Sequence, residues 1–341
     1  MEFTDQQIDY GTSLACTDFQ TGIYTFNKDY STWKRAFYDR TGLEFGTRKG
    51  DVTGRVLFNT EHELSKRRYD TIEYNGWQLT RVKTIMKGNN VSTISLKISG
   101  NPAKNVYGKN ETNISMQDLH IELKKLSFGL GINLADIKTR APHESSITVE
   151  PNFPVDLNTL KGRIITLIGY NPFTPMVGDD GEGNLIGYKS KCTHYYAKIY
   201  SPASKFGDPT LNSVRIERHY ERLNQSFKNN CTMHSFADYL IPETQYKCGV
   251  SVLKMLDNTF IYDPELKANR WNKGYINEII HKGNDPKYWN EDFPNSCCKK
   301  TQVKRIEEYN ELSAVKGDGL FLNLRDLVIN HYNKLQNVTC S

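Results

Sequence analysis

Residues 69–99 read YDTIEYNGWQLTRVKTIMKGNNVSTISLKIS, with runs of Ile, Val, Thr and Tyr broken at Asn75-Gly76 and again at Gly88-Asn89-Asn90. Asn-Gly tolerates the positive φ angles of a tight hairpin turn, and β-branched and aromatic residues suit a pleated surface. The stretch therefore predicts an antiparallel meander of about three strands.

Working outward, a loop over residues 101–113 leads to Ser115-Met-Gln-Asp118, where Ser115 can cap a helix and Asp118 suits its first turn. Leu119, Ile121, Leu123 and Leu126 carry that helix until Gly129 and Gly131 stop it. Strands are expected over Ser146–Val155 and Arg163–Tyr170, the second apolar enough to be central in a sheet. Two more are expected over Thr193–Tyr200, ended by Pro202, and over residues 213–223. Beyond Leu240 the pattern turns helical, including Thr301–Leu312 and an amphipathic run over Leu320–Leu335 begun by an Asp318 cap. The first 60 residues are too weakly periodic to assign. The expectation is an α+β fold: a mixed, mostly antiparallel sheet with helices on one face in residues 1–240, and a mainly helical region over 241–341.

The 341 residues are 38% hydrophobic and 24% charged, which excludes disordered and membrane classes and allows a sizeable core. There is no apolar run of roughly 18 residues and no signal-peptide pattern at the start, so the expected location is the cytoplasm, with no membrane partner. The formal charge of +5 is modest, but nine basic residues face five acidic ones between Lys34 and Arg68. Arg67 and Arg68, at the end of that stretch, are candidate phosphate contacts. Phosphate-loop, dinucleotide-loop, GxSxG, HExxH and paired CxxC motifs are missing, as is any pair of histidines two residues apart.

Chemistry concentrates in three strands whose polar residues alternate. Tyr196, Lys198 and Tyr200 share one face of their strand, and Arg215, Glu217 and His219 share one face of another. Thr148 and Glu150 lie opposite Ile147 and Val149. Glu150, Lys198 and Glu217 can thus converge on one sheet face. Two carboxylates on rigid strands suit a hard cation such as Mg²⁺ or Mn²⁺, and His219 is either a third ligand or a polar strand residue. A tyrosine beside such an ion can attack a phosphodiester, with Lys198 supplying further positive charge.

The order of motifs, SGNPAKNVYGKNETN, LGIN, TVEPNFPV, THYYAKIYSPASKF and SVRIERHYERL over residues 99–223, resembles replication initiators of small rolling-circle plasmids and single-stranded DNA phages. These are transesterases without the paired-histidine motif, of the Rep_trans and filamentous-phage gene II types. The resemblance implies that Glu217 and Glu150 are the metal carboxylates and that the nucleophile is Tyr195, Tyr196 or Tyr200, with Tyr196 favoured because it shares the face of Lys198. Two motifs depart from the family: K-I-Y-D-K reads Lys198-Ile199-Tyr200-Ser201-Pro202, and the origin-contact loop keeps Lys104 without its histidine. Arg215 and Lys104 join the DNA contacts. The implied activity is nicking of a hairpin or single-stranded origin, leaving a 5′-phosphotyrosyl link and a 3′-OH for a host polymerase. The implied partners are that DNA and host polymerase and helicase. The helical tail is open between binding origin duplex, forming a homodimer and recruiting the helicase. The alternative is a phage or plasmid protein that binds DNA sequence-specifically without catalysis.

Overall fold

The computed structural model describes the chain outside residues 1–7, 10–12, 18–19, 46–55, 60–61, 87–91, 110–111, 141–142, 151–162, 168–170, 172, 178–184, 192, 194, 203–212, 222–232, 286, 338 and 341. The first half runs β1 (Ile8–Asp9), β2 (Gln20–Phe26), α1 (Tyr30–Thr41), β3 (Val56–Asn59), β4 (His62–Tyr74), β5 (Trp77–Met86), β6 (Ser92–Gly100), α2 (Pro102–Tyr107), α3 (Met116–Leu130), β7 (Lys138–Thr139) and β8 (His143–Val149). The second half adds β9 (Ile164–Leu167), β10 (Thr174–Val177), β11 (Leu185–Lys191), β12 (Tyr195–Tyr200), β13 (Val214–Tyr220), α4 (Pro242–Asp257), β14 (Thr259–Ile261), α5 (Gly274–Lys282), α6 (Lys299–Lys316), α7 (Leu320–Asn333) and β15 (Thr339–Cys340). The fold is α+β.

Two sheets dominate: six strands in the order β3-β4-β5-β6-β2-β7, and five in the order β10-β11-β12-β13-β8. The meander supplies β4, β5 and β6. Asn75 and Gly76 have φ of 47° and 79°, and Tyr74 pairs with Trp77 across them, a two-residue turn whose positive angles match the strand twist. The second expected turn lies outside the described residues, and β5 and β6 pair antiparallel on either side of it. Every described strand pair is antiparallel, so the sheets are not mixed.

The Ser115 helix forms as its cap dictates: Ser115 Oγ accepts the Asp118 amide at 3.0 Å, and Gly131 closes α3 in the left-handed region. Leu119, Leu123 and Leu126 are buried, while Ile121, off their stripe, is exposed. At the start of α7 the N-cap is Gly319, in the left-handed region, and not Asp318 as expected; Asp318, one residue earlier, accepts the Leu320 amide on Oδ1 at 3.0 Å.

The strand expected at the centre of a sheet, β9, instead pairs with β14 in a two-stranded ribbon. The ribbon lies between two cores: Phe260 belongs to a small cluster with Leu266, Ile279, Trp289 and Tyr309, and Ile261 and Ile164 to the large one. Burial on both faces makes a strand apolar throughout, whatever the width of its sheet. The helical region divides in the same way. Val252 and Leu256 of α4 and Leu324 and Val328 of α7 join the core of the sheets, while α5 and α6 enclose the smaller core.

The unassigned N-terminal stretch contains β2 and α1. An aromatic cluster of Phe26, Trp33, Phe37 and Phe45 holds α1 in place, with the Trp33 and Phe37 rings stacked at 5.0 Å. No described helix is long and apolar enough to cross a membrane.

Candidate metal centre

The five-stranded sheet has two unlike faces, and its register fixes what meets on each. Across β12 and β13, Lys198 pairs with Glu217, Tyr196 with His219 and Tyr200 with Arg215. Across β13 and β8, Glu217 pairs with Ser146, His219 with Glu144 and Arg215 with Thr148. Alternation puts Ile147, Ile199 and Ile216 on the opposite face, all fully buried. The Arg218 guanidinium, also on that face, donates to Ser251 of α4 at 2.9 Å. Helix α4 thus covers one face, and the polar residues gather on the other.

Glu144, Glu217 and His219 bring ligand atoms within 4.8 Å of one another. Glu217 is 1% exposed, whereas the Lys198 and Glu144 side chains are 15% and 16% exposed, so the cluster is least buried at Lys198 and Glu144. Lys198 Nζ donates to Glu217 Oε1 and lies 3.6 Å from Glu144 Oε1. His219 Nδ1 is 2.6 Å from Glu144 Oε1, and Tyr200 donates its hydroxyl to Glu217 Oε2 at 3.2 Å. The Tyr196 ring stacks on the His219 imidazole at 4.2 Å with a 12° interplanar angle, and the Lys189 and Lys198 ammonium groups lie 4.8 and 4.9 Å from its centroid.

Gly187 is the small residue this packing requires. It pairs with Tyr200, and a Cβ there would stand 2.2 Å from Tyr200 Cβ.

Burial works against the charge on Glu144, but the His219 hydrogen bond and the Lys198 charge outweigh it and hold the carboxyl well below its ordinary range. Burial likewise opposes the Lys198 charge, and the two carboxylates overcome it and push the ammonium upward. Burial raises the Tyr196 phenol to about 12; Lys198 pulls down, and Glu144, Glu217 and Glu221 push up. The phenol therefore stays protonated at neutral pH while two negative carboxylates stand beside it.

Two carboxylates and an imidazole could hold a metal ion, and the place between the carboxylates already accepts a positive charge, that of Lys198.

The structure brings together Glu217, His219, Lys198, Tyr196 and Tyr200. It does not bring in Glu150, which is exposed just beyond β8. Glu150 shares the face of Ser146 but lies four residues along the strand, about 13 Å from the level of Glu217. Glu144 takes that place. Its parity was legible, but the strand was expected to begin at Ser146 and so excluded it.

Tyr195 points to the opposite face, its ring 4.1 Å from the Arg218 guanidinium. Arg215 is 1% exposed and its Nε donates to Thr148 Oγ1 at 2.7 Å, so it is an internal cation of the sheet and not a surface contact for phosphate. Lys104 is exposed on α2, which packs on α3. Arg67 and Arg68 lie on β4, and their side chains fall outside the described residues.

No protein-family model and no curated protein matches the chain. Among solved structures, that of a rolling circle replication initiator protein from Geobacillus stearothermophilus is 11% identical with a TM-score of 0.35, over 76% of this chain and 89% of that one. DynU16, from the dynemicin biosynthetic locus, is 10% identical with a TM-score of 0.19, over 69% of this chain and 97% of that one. Neither likeness assigns an activity.

Proposed function

We propose that this protein nicks DNA through a tyrosine with the help of a divalent cation, and so initiates replication of a rolling-circle replicon. One observation carries the reading: Glu144, Glu217 and His219 converge within 4.8 Å beneath a half-buried phenol stacked on the imidazole. The order of sequence motifs along residues 99–223 agrees with it.

Glu144, Glu217 and His219 would hold Mg²⁺ or Mn²⁺, and such an ion supplies neutralising charge and polarises a phosphoryl oxygen. Tyr196 is the nucleophile, since Tyr200 is 2% exposed and already donates to Glu217. Its oxygen attacks phosphorus, the bond to the 3′ oxygen breaks, and the phenol proton ends on the released 3′-OH. The 5′ phosphate stays on the protein as a tyrosyl ester, which keeps the bond energy for rejoining. Lys198 offers its ammonium to the charge that develops on the phosphoryl oxygens. The substrate is a hairpin or single-stranded origin, and the 3′-OH primes a host polymerase behind a host helicase.

A second reading, a DNA-binding protein without catalysis, draws on Lys198: its ammonium already neutralises the carboxylates, as in a purely structural ion cluster. The test mixes the protein with Mn²⁺ and single-stranded oligonucleotides from the origin of its own replicon. Denaturing gels should show a covalent adduct that falls on the order of 10³-fold or more in Tyr196→Phe and persists in Tyr195→Phe. An undiminished adduct in Tyr196→Phe would overturn the assignment of the nucleophile. DNA binding with neither adduct nor Mn²⁺ uptake would establish the second reading.

A further inference from the structure

Between β14 and α5 the chain reads YDPELKANRWNK over residues 262–273; after Asp263 and Glu265, the stretch from Leu266 to Lys273 has three cations and no carboxylate. Leu266, 2% exposed, anchors the start of this loop in the smaller core, while Trp271 stands 78% exposed. The other three tryptophans, Trp33, Trp77 and Trp289, are 8%, 1% and 3% exposed.

Exposure here does not mean looseness. Asn277, on α5, holds both backbone polar groups of Asn269: its Oδ1 accepts the Asn269 amide at 3.1 Å, and its Nδ2 donates to the Asn269 carbonyl at 2.9 Å. Asn269 Oδ1 in turn accepts the Trp271 amide at 3.0 Å, and the Asn272 amide closes the turn on the Asn269 carbonyl at 3.0 Å. The backbone under the indole is thus ordered before any partner arrives, which removes an ordering cost from binding.

The surroundings are cationic. The Arg270 guanidinium lies 4.7 Å from the indole centroid, and Lys267 and Lys273 are exposed on either side. Lys273 pairs with Glu308 at 2.7 Å, and Lys304 also approaches that carboxylate at 4.0 Å. The patch therefore keeps a positive balance.

We infer that this loop is a stacking platform for unpaired nucleic acid, with a base on the indole face and backbone phosphates on Lys267, Arg270 and Lys273. An aromatic face between cations suits a single strand, because every base offers a π-face and every linkage a negative charge. Around Trp271 the loop supplies Lys267, Arg270 and Lys273, and lysine is depleted from protein interfaces, so the charge of the loop complements a polyanion. The inference goes beyond the nicking chemistry and needs none of the carboxylate cluster.

Titration of the full chain with fluorescently labelled oligo(dT), followed by anisotropy, tests it. Trp271→Ala should weaken binding roughly 5- to 100-fold, with Trp271→Phe retaining most of it. Lys267→Ala with Arg270→Ala should flatten the salt dependence. Intrinsic emission adds a readout that a folding defect would not mimic: saturable quenching of the solvent-exposed indole by unlabelled oligo(dT) in the wild type, absent in Trp271→Phe. Wild-type affinity in Trp271→Ala, an indole that is not quenched, or Trp271-dependent self-association without oligonucleotide binding would each overturn the platform. Trp271→Ala should leave Mn²⁺ uptake at the Glu144, Glu217 and His219 cluster unchanged, so loss of the metal centre and loss of this platform are separable outcomes.

Discussion

Each large sheet has a buried glutamate at one face, Glu122 on the helix packed against the first and Glu217 on a strand of the second, and the two are buried in opposite ways. Glu122, on α3, is 7% exposed and accepts hydrogen bonds from Trp77 Nε1 at 2.8 Å and Asn105 Nδ2 at 3.3 Å, both neutral donors. It fastens α3 to β5 and α2. Glu217, 1% exposed, meets the Lys198 ammonium and the Tyr200 hydroxyl and stands beside a second carboxylate, Glu144. Two carboxylates side by side raise the cost of each other's charge, and here the Lys198 ammonium between them offsets it. Crowding of like charge around a half-buried phenol is what separates a candidate reactive centre from a fastening.

The contrast breaks most sharply on metal uptake. Glu217→Gln and Glu144→Gln should each weaken Mn²⁺ binding by about 100-fold or more, read by the free-ion EPR signal, while Glu122→Gln leaves it unchanged. Equal Mn²⁺ binding by all three variants would end the distinction.

Stability sharpens it next. Glu217→Ala leaves Lys198 with only Glu144 at 3.6 Å and should cost about 3 kcal/mol in urea unfolding, whereas replacing Lys198 and Glu217 together with Met and Leu should recover most of that loss. Gly187→Ala, which drives a Cβ against Tyr200, should cost about 1–3 kcal/mol and disturb the same cluster.

Acid titration comes after these. The Glu144 carboxyl is held below its ordinary range when folded, so its contribution to stability is complete above the pKa of the unfolded chain and is lost as pH falls through the lowered folded value. Glu144→Gln should flatten that part of the stability profile, measured by urea midpoints across acid pH.

The smallest effect belongs to the helix that carries Glu122. Ser115→Ala removes a cap on the Asp118 amide and should cost about 1 kcal/mol with Mn²⁺ binding untouched.

Local chemistry made much of the scaffold legible. The Asn75-Gly76 turn, the Ser115 cap and the alternation in β12 and β13 are each written within a few residues, and each formed as read, whereas the cap expected at Asp318 falls one residue later, on Gly319. The N-terminal helix was not legible, because Trp33 and Phe37 are fixed by Phe26 and Phe45, outside the helix itself. Tertiary contacts likewise decided which indole is buried: Trp77 is 1% exposed beneath α3, and Trp271 is 78% exposed.

At the site the division is sharper. Sequence by itself determined which side chains share a face, because a strand alternates with a period of two residues whatever its neighbours do. Only tertiary structure decided their level along the strand. A slip of two residues keeps the face and moves a side chain about 7 Å, so the cross-strand register with β13, and not the pattern within β8, set Glu144 opposite His219 and left Glu150 in solvent.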